Sequence, residues 1–349
     1  MTPVKQSNKE RLADVIQDPV KFTRLCWPGI KLYDKQVEIL ESLRDNTETF
    51  VHAANEVGKD FITAIGVVWF FCSRKPARII TSSSGETQLK SILWSEIKQR
   101  IATSAVPLPL KLGALRIDRL ESDGTLDPLS YIIGHVTNSV ENFQGHHLPH
   151  DKPRVLCVFD EASGVADEFK EASESWAHKT LVIGNPLNSI NFFFRCCKAG
   201  DLKHDPQSGE EGLLRKVIHI SADDSPNVQL GKRLAKKKMR GPYPSIIPGV
   251  LSYSEYLRRL QIWDKVKIHQ RIEGQFYEGD ETLLFPPEWL NEAEAMFAKL
   301  FPLGYEESKL IALDTDPVTA LGVDTGAGRD LTSWTGINRK GVRFQEAMQ

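Results

Sequence analysis

In Arg154-Val-Leu-Cys-Val-Phe-Asp-Glu161, an unbroken apolar run ends in two adjacent carboxylates. Such a run predicts a strand buried on both faces, as strands of parallel sheets are. Its last two residues then stand at the C-terminal edge of the sheet, where open α/β folds bind ligands in a crevice. Asp160 at that position suits direct or water-mediated Mg²⁺ binding, and Glu161 suits placing and activating an attacking water.

Working outward, Phe50-Val-His-Ala-Ala-Asn-Glu-Val-Gly-Lys-Asp60 lies upstream between a predicted strand and an apolar helical stretch. That is where a phosphate-binding loop belongs: backbone N–H groups wrap a phosphate, a Gly allows close approach, and a Lys reaches the β/γ-phosphates at a helix N-terminus. Gly58 and Lys59 fit, and Ala54, Asn55, Glu56, Val57, Asp60 and Phe61 complete the expected contact set. Two positions depart from GxxxxGK[ST]: Ala53 replaces the first Gly, and Asp60 replaces the Ser/Thr that holds Mg²⁺. A carboxylate is a good Mg²⁺ ligand, so Asp60 is expected to bind the ion itself. Downstream, Lys179-Thr-Leu-Val-Ile runs into Gly184-Asn-Pro186, which brings the Asn185 amide to the same sheet edge. Upstream, Tyr33-Asp-Lys-Gln36 offers Gln36 to an adenine edge and Tyr33 to its face, unless the segment is only a surface helix.

Through about residue 220 the apolar runs alternate with helical patterns. Strands are expected near Thr49 to Ala53, Ala77 to Thr81, Ser130 to His135, Arg154 to Phe159, Thr180 to Ile183 and Lys216 to Ile220. The pattern is that of a mostly parallel sheet covered by helices. A capping box, Ser83 with Glu86, predicts a helix carrying Leu89, Ile92, Leu93, Ile97 and Ile101. Helical patterns follow at Ser252 to Ile272 and Pro287 to Leu300, and a three-strand meander is expected from Thr319 onward. The expected division is a P-loop ATPase domain at 1–225, a mainly helical linker subdomain at 226–315, and at 316–349 the opening of a further domain that is longer in its relatives.

The chain has 349 residues, 41% of them hydrophobic and 26% charged, with net charge −2. This excludes wholesale disorder, collagen and coiled coil, and leaves no global cationic field for nucleic acid or membrane. Five cysteines without a CxxC pair fit reduced thiols, with Cys196 and Cys197 as packing residues. Phe61 to Cys72, the longest near-continuous apolar run, falls short of the ~20 residues of a membrane span. The N-terminus lacks an apolar secretion signal, so no membrane partner is expected. His146, His147 and His150 have no carboxylate at helical spacing, and metal binding there is not expected. Lys232, Arg233, Lys236, Lys237, Lys238 and Arg240 form a basic run that suits either DNA phosphates or a solvated helix face. Phe192 to Phe194 read as core.

AANEVGK, TSSSGETQLKSILWSEI, FQGHH, VLCVFDEASGV, VIGNP, SADDSPN from Ser221, RIEGQF from Arg271 and GVDTGAGRDLT from Gly322 occur in one order. In that order they resemble the large terminase subunit of tailed bacteriophages. The resemblance implies a RecA-like ATPase of the additional-strand class, a small connecting subdomain and an RNase H-like nuclease that uses Mg²⁺ or Mn²⁺. Residue by residue, it makes Lys59 the phosphate lysine, Asp160 the magnesium ligand, Glu161 the catalytic glutamate and Asn185 the coupling residue. Asp324 matches the first nuclease metal ligand, and Asp330 falls on a further acidic position. Since the family draws the remaining nuclease carboxylates from beyond this stretch, autonomous cutting is not expected.

The resemblance further implies ATP and Mg²⁺ as ligands, and double-stranded DNA, a portal ring, a small terminase subunit and a homo-oligomeric ring as partners. The setting would be the host cytoplasm and, transiently, the procapsid portal. Arg74, Arg78, Arg100, Arg154 and Arg195 are the sources considered for an arginine acting in trans. The alternatives are a helicase or other RecA-like remodeller, and a nucleotide- or DNA-binding scaffold without turnover.

Overall fold

A computed structural model describes residues 8–83, 85, 89–136, 143–148, 153–277, 292, 295, 299, 320–324, 332–338 and 341–348. The chain divides into two compact units, Met1–Glu278 and Gly279–Gln349.

The first unit opens with three helices, α1 (Asn8–Gln17), α2 (Pro19–Cys26) and α3 (Asp34–Asp45). Then β1 (Glu48–Ala53) leads into α4 (Lys59–Cys72), and β2 (Arg78–Ser83) precedes a π-helical turn at Leu89–Leu93 that continues as α5 (Trp94–Ala102). Strands β3 (Leu110–Leu112), β4 (Arg116–Leu120), β5 (Leu126–Val136) and β6 (Val155–Asp160) follow. After them come α6 (Asp167–Glu174), β7 (Lys179–Gly184), α7 (Phe192–Ala199), β8 (Leu202–Lys203) and β9 (Leu213–Ile220). The unit closes with α8 (Pro226–Lys236), α9 (Tyr253–Ile262) and α10 (Lys265–Arg271).

The nine strands form one sheet in the order β3-β4-β5-β2-β6-β7-β1-β9-β8. The six central strands, β5 to β9 in that order, are parallel, while β3, β4 and β8 pair antiparallel at the edges. One strand, β7, stands between β1 and β6, so the loop after β1 and the acid pair after β6 face each other across an additional strand. The six strands expected from sequence are the parallel core. The edge strands give no such signal, because their residues are short runs or half exposed and carry no long apolar stretch.

Side-chain alternation explains why the sheet is covered on both sides. On one face Val51, Ile79, Leu156, Val158, Leu181 and Ile183 pack with α4, which is buried from Ile62 to Phe71. On the other, Phe50, Ile80, Val155, Cys157, Phe159 and Val182 pack with Phe143, Phe169, Phe192 and Phe193. Phe192 to Phe194 are core, as expected.

One expectation needs correction. Ser83 ends β2 rather than capping a helix, and its intended partner Glu86 lies outside the described residues. The pattern from Ser252 to Ile272 is two helices, because Trp263 leaves helical geometry and Asp264 caps a new one by accepting from Lys267 N. Val228, Leu251, Tyr253, Tyr256 and Ile272 belong to the same core as α4.

The second unit contains β10 (Ala320–Asp324), β11 (Thr332–Asn338) and β12 (Gly341–Met348), an antiparallel meander in that order. Asp324 closes β10 opposite Ser333. Asp330, His150 and most of Pro287 to Leu300 lie outside the described residues.

Candidate functional site

The loop between β1 and α4 is held by its neighbours before any ligand is considered. Ala54 N donates to Ile220 O (2.8 Å) and Asn55 N to Arg271 O (2.9 Å). Glu56 and Gly58 then take positive φ values of 57° and 78°. Gly58 is needed there for two reasons: the left-handed backbone, and a side chain of Gln36 whose Nε2 would lie 2.7 Å from any added Cβ. Among the described residues, no backbone carbonyl accepts from the N–H groups of Glu56, Val57, Gly58, Lys59 or Asp60. These groups, with the N-terminus of α4, make an anion cradle.

Lys59 stands at the centre of the acid cluster. Its Nζ lies 2.9 Å from Glu161 Oε1 and 4.0 Å from Asp60 Oδ1, and it donates to Asn185 Oδ1 at 3.3 Å. Asn185 is buried, and its Nδ2 donates to Ala53 O at 2.6 Å, tying the end of β7 to the start of the loop. Burial alone would lower the Lys59 pKa, but Asp60, Glu161 and Asp160 more than offset it and hold the ammonium charged. Burial raises the Asp60 carboxyl despite Lys59. Burial, reinforced by the Asp60 charge, pushes Asp160 up to about 8.

Three carboxyl groups thus surround one ammonium, and a polyphosphate cannot enter without added positive charge. A divalent cation fits this donor set: Asp60 Oδ1 and Asp160 Oδ1 are buried and accept no hydrogen bond. Such unspent oxygens are what Mg²⁺ uses.

The cleft lined by Lys59, Asp60, Glu161 and Asn185 has a volume of about 550 Å³ and is also lined by Ser91, Ser95, Glu96 and Arg271, while Asp160 lies buried behind it. Sequence reading missed these four, although TSSSGETQLKSILWSEI and RIEGQF contain them. Beside the cleft, sharing Gly58, Phe61, Glu96 and Gly249 with it, is a second cavity of about 450 Å³ lined by Ile30, Gln36 and Val250. Gln36 therefore stands where a base edge could be read. Tyr33 does not line either cavity: its ring is buried and its hydroxyl donates to Val57 O at 2.7 Å, so it braces the loop from beneath rather than stacking on a base.

The remaining motif residues hold these pieces in place. Glu161 has φ 49° and precedes a 3₁₀ turn at Ala162–Gly164. Ser163 Oγ donates to Asn185 O, and Asn191 Nδ2 donates to Ala162 O (2.8 Å), joining the turn after β6 to the one after β7. In SADDSPN, buried Asn227 bonds the backbone of Ile246, Ile247 and Val250, fixing the wall of the second cavity. In RIEGQF, Gly274 has φ 69°, and a Cβ there would lie 2.5 Å from Ile220 O and 2.9 Å from Ala54 N. In FQGHH, Phe143 and His146 pack on Trp176, and burial lowers the His146 pKa to about 4.

No group of three or more metal-ligating His, Cys, Asp or Glu side chains occurs among the described residues. Of the arginines considered for a trans role, Arg78 and Arg154 stand at the opposite, N-terminal edge of β2 and β6. Arg74 lies over Phe70, Arg100 over Phe61 beside the cleft, and exposed Arg195 bonds Asp167. No described helix is long and apolar enough to cross a membrane.

Solved structures share this fold. The ATPase domain of the large terminase of Thermus phage P74-26, in a variant form, superposes with a TM-score of 0.52 at 16% identity, covering 74% of this chain and 98% of that one. The large terminase of a thermophilic bacteriophage, in a further crystal structure, gives 0.51 at 11% identity, covering 91% of this chain and 68% of that one. The fold is that of the large terminase ATPase domain. No protein-family model matches the sequence, and no curated protein does.

Proposed function

We propose that this chain is a Mg²⁺-dependent ATPase of the large-terminase kind, whose hydrolysis drives double-stranded DNA into a viral procapsid. One observation carries the reading: the Lys59 ammonium, Glu161, Asn185 and the unspent oxygens of Asp60 and Asp160 converge beside an unfilled ring of loop N–H groups, in a sheet with the terminase ATPase topology.

In this reading the loop N–H groups hold the inner phosphates, Lys59 reaches the β- and γ-phosphates, and Asp60 and Asp160 would hold Mg²⁺, which supplies charge neutralisation on the phosphates. Gln36 faces the base. Once phosphate draws Lys59 away, Glu161 is released to orient water for in-line attack on the γ-phosphorus. Asn185, at the end of β7, reports the change to the turn after β6 through Ser163, with Asn191 as the second tie between the two turns.

The basic run suits a sequence-independent grip on DNA phosphates. Arg233, Lys236, Lys237, Lys238 and Arg240 are exposed, whereas Lys232 is committed to Asp223 at 2.6 Å. A portal ring, a small terminase subunit and further copies of the chain are the partners this role requires, and the host cytoplasm and procapsid portal its setting. Asp324, at the end of β10, is assigned to the nuclease metal site on the resemblance alone.

The test is ATP hydrolysis at saturating Mg²⁺ with and without long linear duplex DNA, with Glu161→Gln as blank. Stimulation by DNA, reduced by Gln at the five exposed basic positions and weakened by salt, is the expected result. Turnover indifferent to DNA would leave an ATPase but remove the packaging role.

A further inference from the structure

Among the described residues, every charged side chain that lines the phosphate cleft has an opposite charge within 4.0 Å, save one. Lys59 pairs with Glu161 and approaches Asp60, Glu96 lies 3.7 Å from Arg100, and Glu56 is bonded by Arg259. Arg271 lines the same cleft, and among the described residues nothing accepts from its guanidinium.

Its backbone is nevertheless fixed to the phosphate loop. Arg271 O accepts from Asn55 N at 2.9 Å, and Ile272 O accepts from Ala222 N at 2.7 Å. Three residues on, Gly274 lies so close to Ala54 that no side chain fits, while His52 Nδ1 donates to Gly274 O at 2.7 Å. The segment cannot shift along the loop without breaking these contacts, so the base of the Arg271 side chain is positioned in advance.

We propose that Arg271 donates, from the same chain, to the outermost phosphate of the bound nucleotide and is the residue that distinguishes a nucleoside triphosphate from a diphosphate. This rests on the nucleotide-site reading above. The loop N–H groups serve the inner phosphates and Lys59 bridges the β- and γ-phosphates, which leaves further oxygens of the last phosphate for a donor entering from outside the loop. A guanidinium suits the task because its fork matches phosphate oxygens bidentately and stays charged beside an anion. Its place on α10 also means that loss of the terminal phosphate frees a residue of the helical segment 226–277 and not only of the loop.

The experiment is calorimetric titration of ATP and of ADP, each with Mg²⁺, into Glu161→Gln protein with and without Arg271→Ala. The Glu161→Gln background prevents turnover. Arg271→Ala is expected to weaken ATP by about 10- to 100-fold, the range of a charge-assisted hydrogen bond, and ADP by less than about 2-fold. Arg271→Lys should recover part of the ATP loss, and Arg271→Gln, closer in size, replaces the alanine variant if that does not fold. Equal loss for both nucleotides, or no loss for either, overturns the assignment while leaving the site itself in place. Failure of the Glu161→Gln protein to bind either nucleotide would overturn the site reading, and this assignment with it.

Discussion

Lys59 Nζ and Glu161 Oε1 lie 2.9 Å apart, and this ion pair spans the gap that a phosphate must fill. At the proposed site, phosphate oxygens and Glu161 would compete for one ammonium. Replacing Glu161 by Gln removes the charged competitor, so Glu161→Gln should bind Mg²⁺-ATP at least as tightly as the parent protein, by a factor of about 1 to 10. Lys59→Ala should bind at least about 10-fold more weakly. Calorimetric titration checks both, and weaker binding by Glu161→Gln would show that the pair does not compete with nucleotide.

Asp60 occupies the position where a hydroxyl commonly holds the ion. At ~5 Å from a phosphate charge and an effective dielectric of ~20, its carboxylate adds repulsion of about 3 kcal/mol unless a cation stands between. Asp60→Ala should therefore raise the Mg²⁺ concentration for half-maximal hydrolysis by about 10-fold or more, with Asp60→Thr in between. Identical Mg²⁺ curves for all three proteins would remove Asp60 from the metal site.

His52 supplies a pH dependence. It is stacked on His219 at 4.8 Å and hydrogen-bonded to Gly274 O, and burial lowers its pKa to about 4. An unfolded histidine titrates near 6.5, so between the two values the unfolded chain binds more protons. Its contribution is full above pH ~6.5 and is lost as pH falls toward 4, by about 3 kcal/mol at most. Urea denaturation at pH 7 and pH 5 should show this loss, and His52→Asn should reduce it. An equal drop in both proteins would place the sensitivity elsewhere, His146 being the next candidate.

Gly274 tests the clasp between RIEGQF and the loop. A Cβ there meets Ile220 O at 2.5 Å on a backbone with φ 69°. Gly274→Ala should destabilise the protein by about 2 kcal/mol or more and weaken nucleotide binding together with it. A change below about 0.5 kcal/mol would mean that the segment yields without cost.

The parallel core and the residues at its edge were legible because each carries a strong local signal. The buried strand Val155–Asp160 carries an apolar run of five residues before its acid, and Gly58-Lys59 follows the buried strand Glu48–Ala53 and precedes the apolar α4. What was not legible depends on tertiary contact. The short edge strands Leu110–Leu112 and Leu202–Lys203 exist only through pairing with a neighbour. Tyr33 gives no sign in sequence that its hydroxyl reaches a carbonyl twenty-four residues on rather than a ligand. Arg271 is separated by the length of the sheet domain from the loop it touches, and only the fold makes them neighbours.

The central claim is that Lys59, Asp60, Asp160 and Glu161 form a working hydrolytic site. Phosphate release from saturating Mg²⁺-ATP by the parent protein and by Glu161→Gln tests it most directly. The account predicts turnover in the parent protein and a loss of about 100-fold or more in the variant, with ATP still bound. Equal rates in the two proteins, with nucleotide bound by both, would contradict it and leave a nucleotide-binding scaffold.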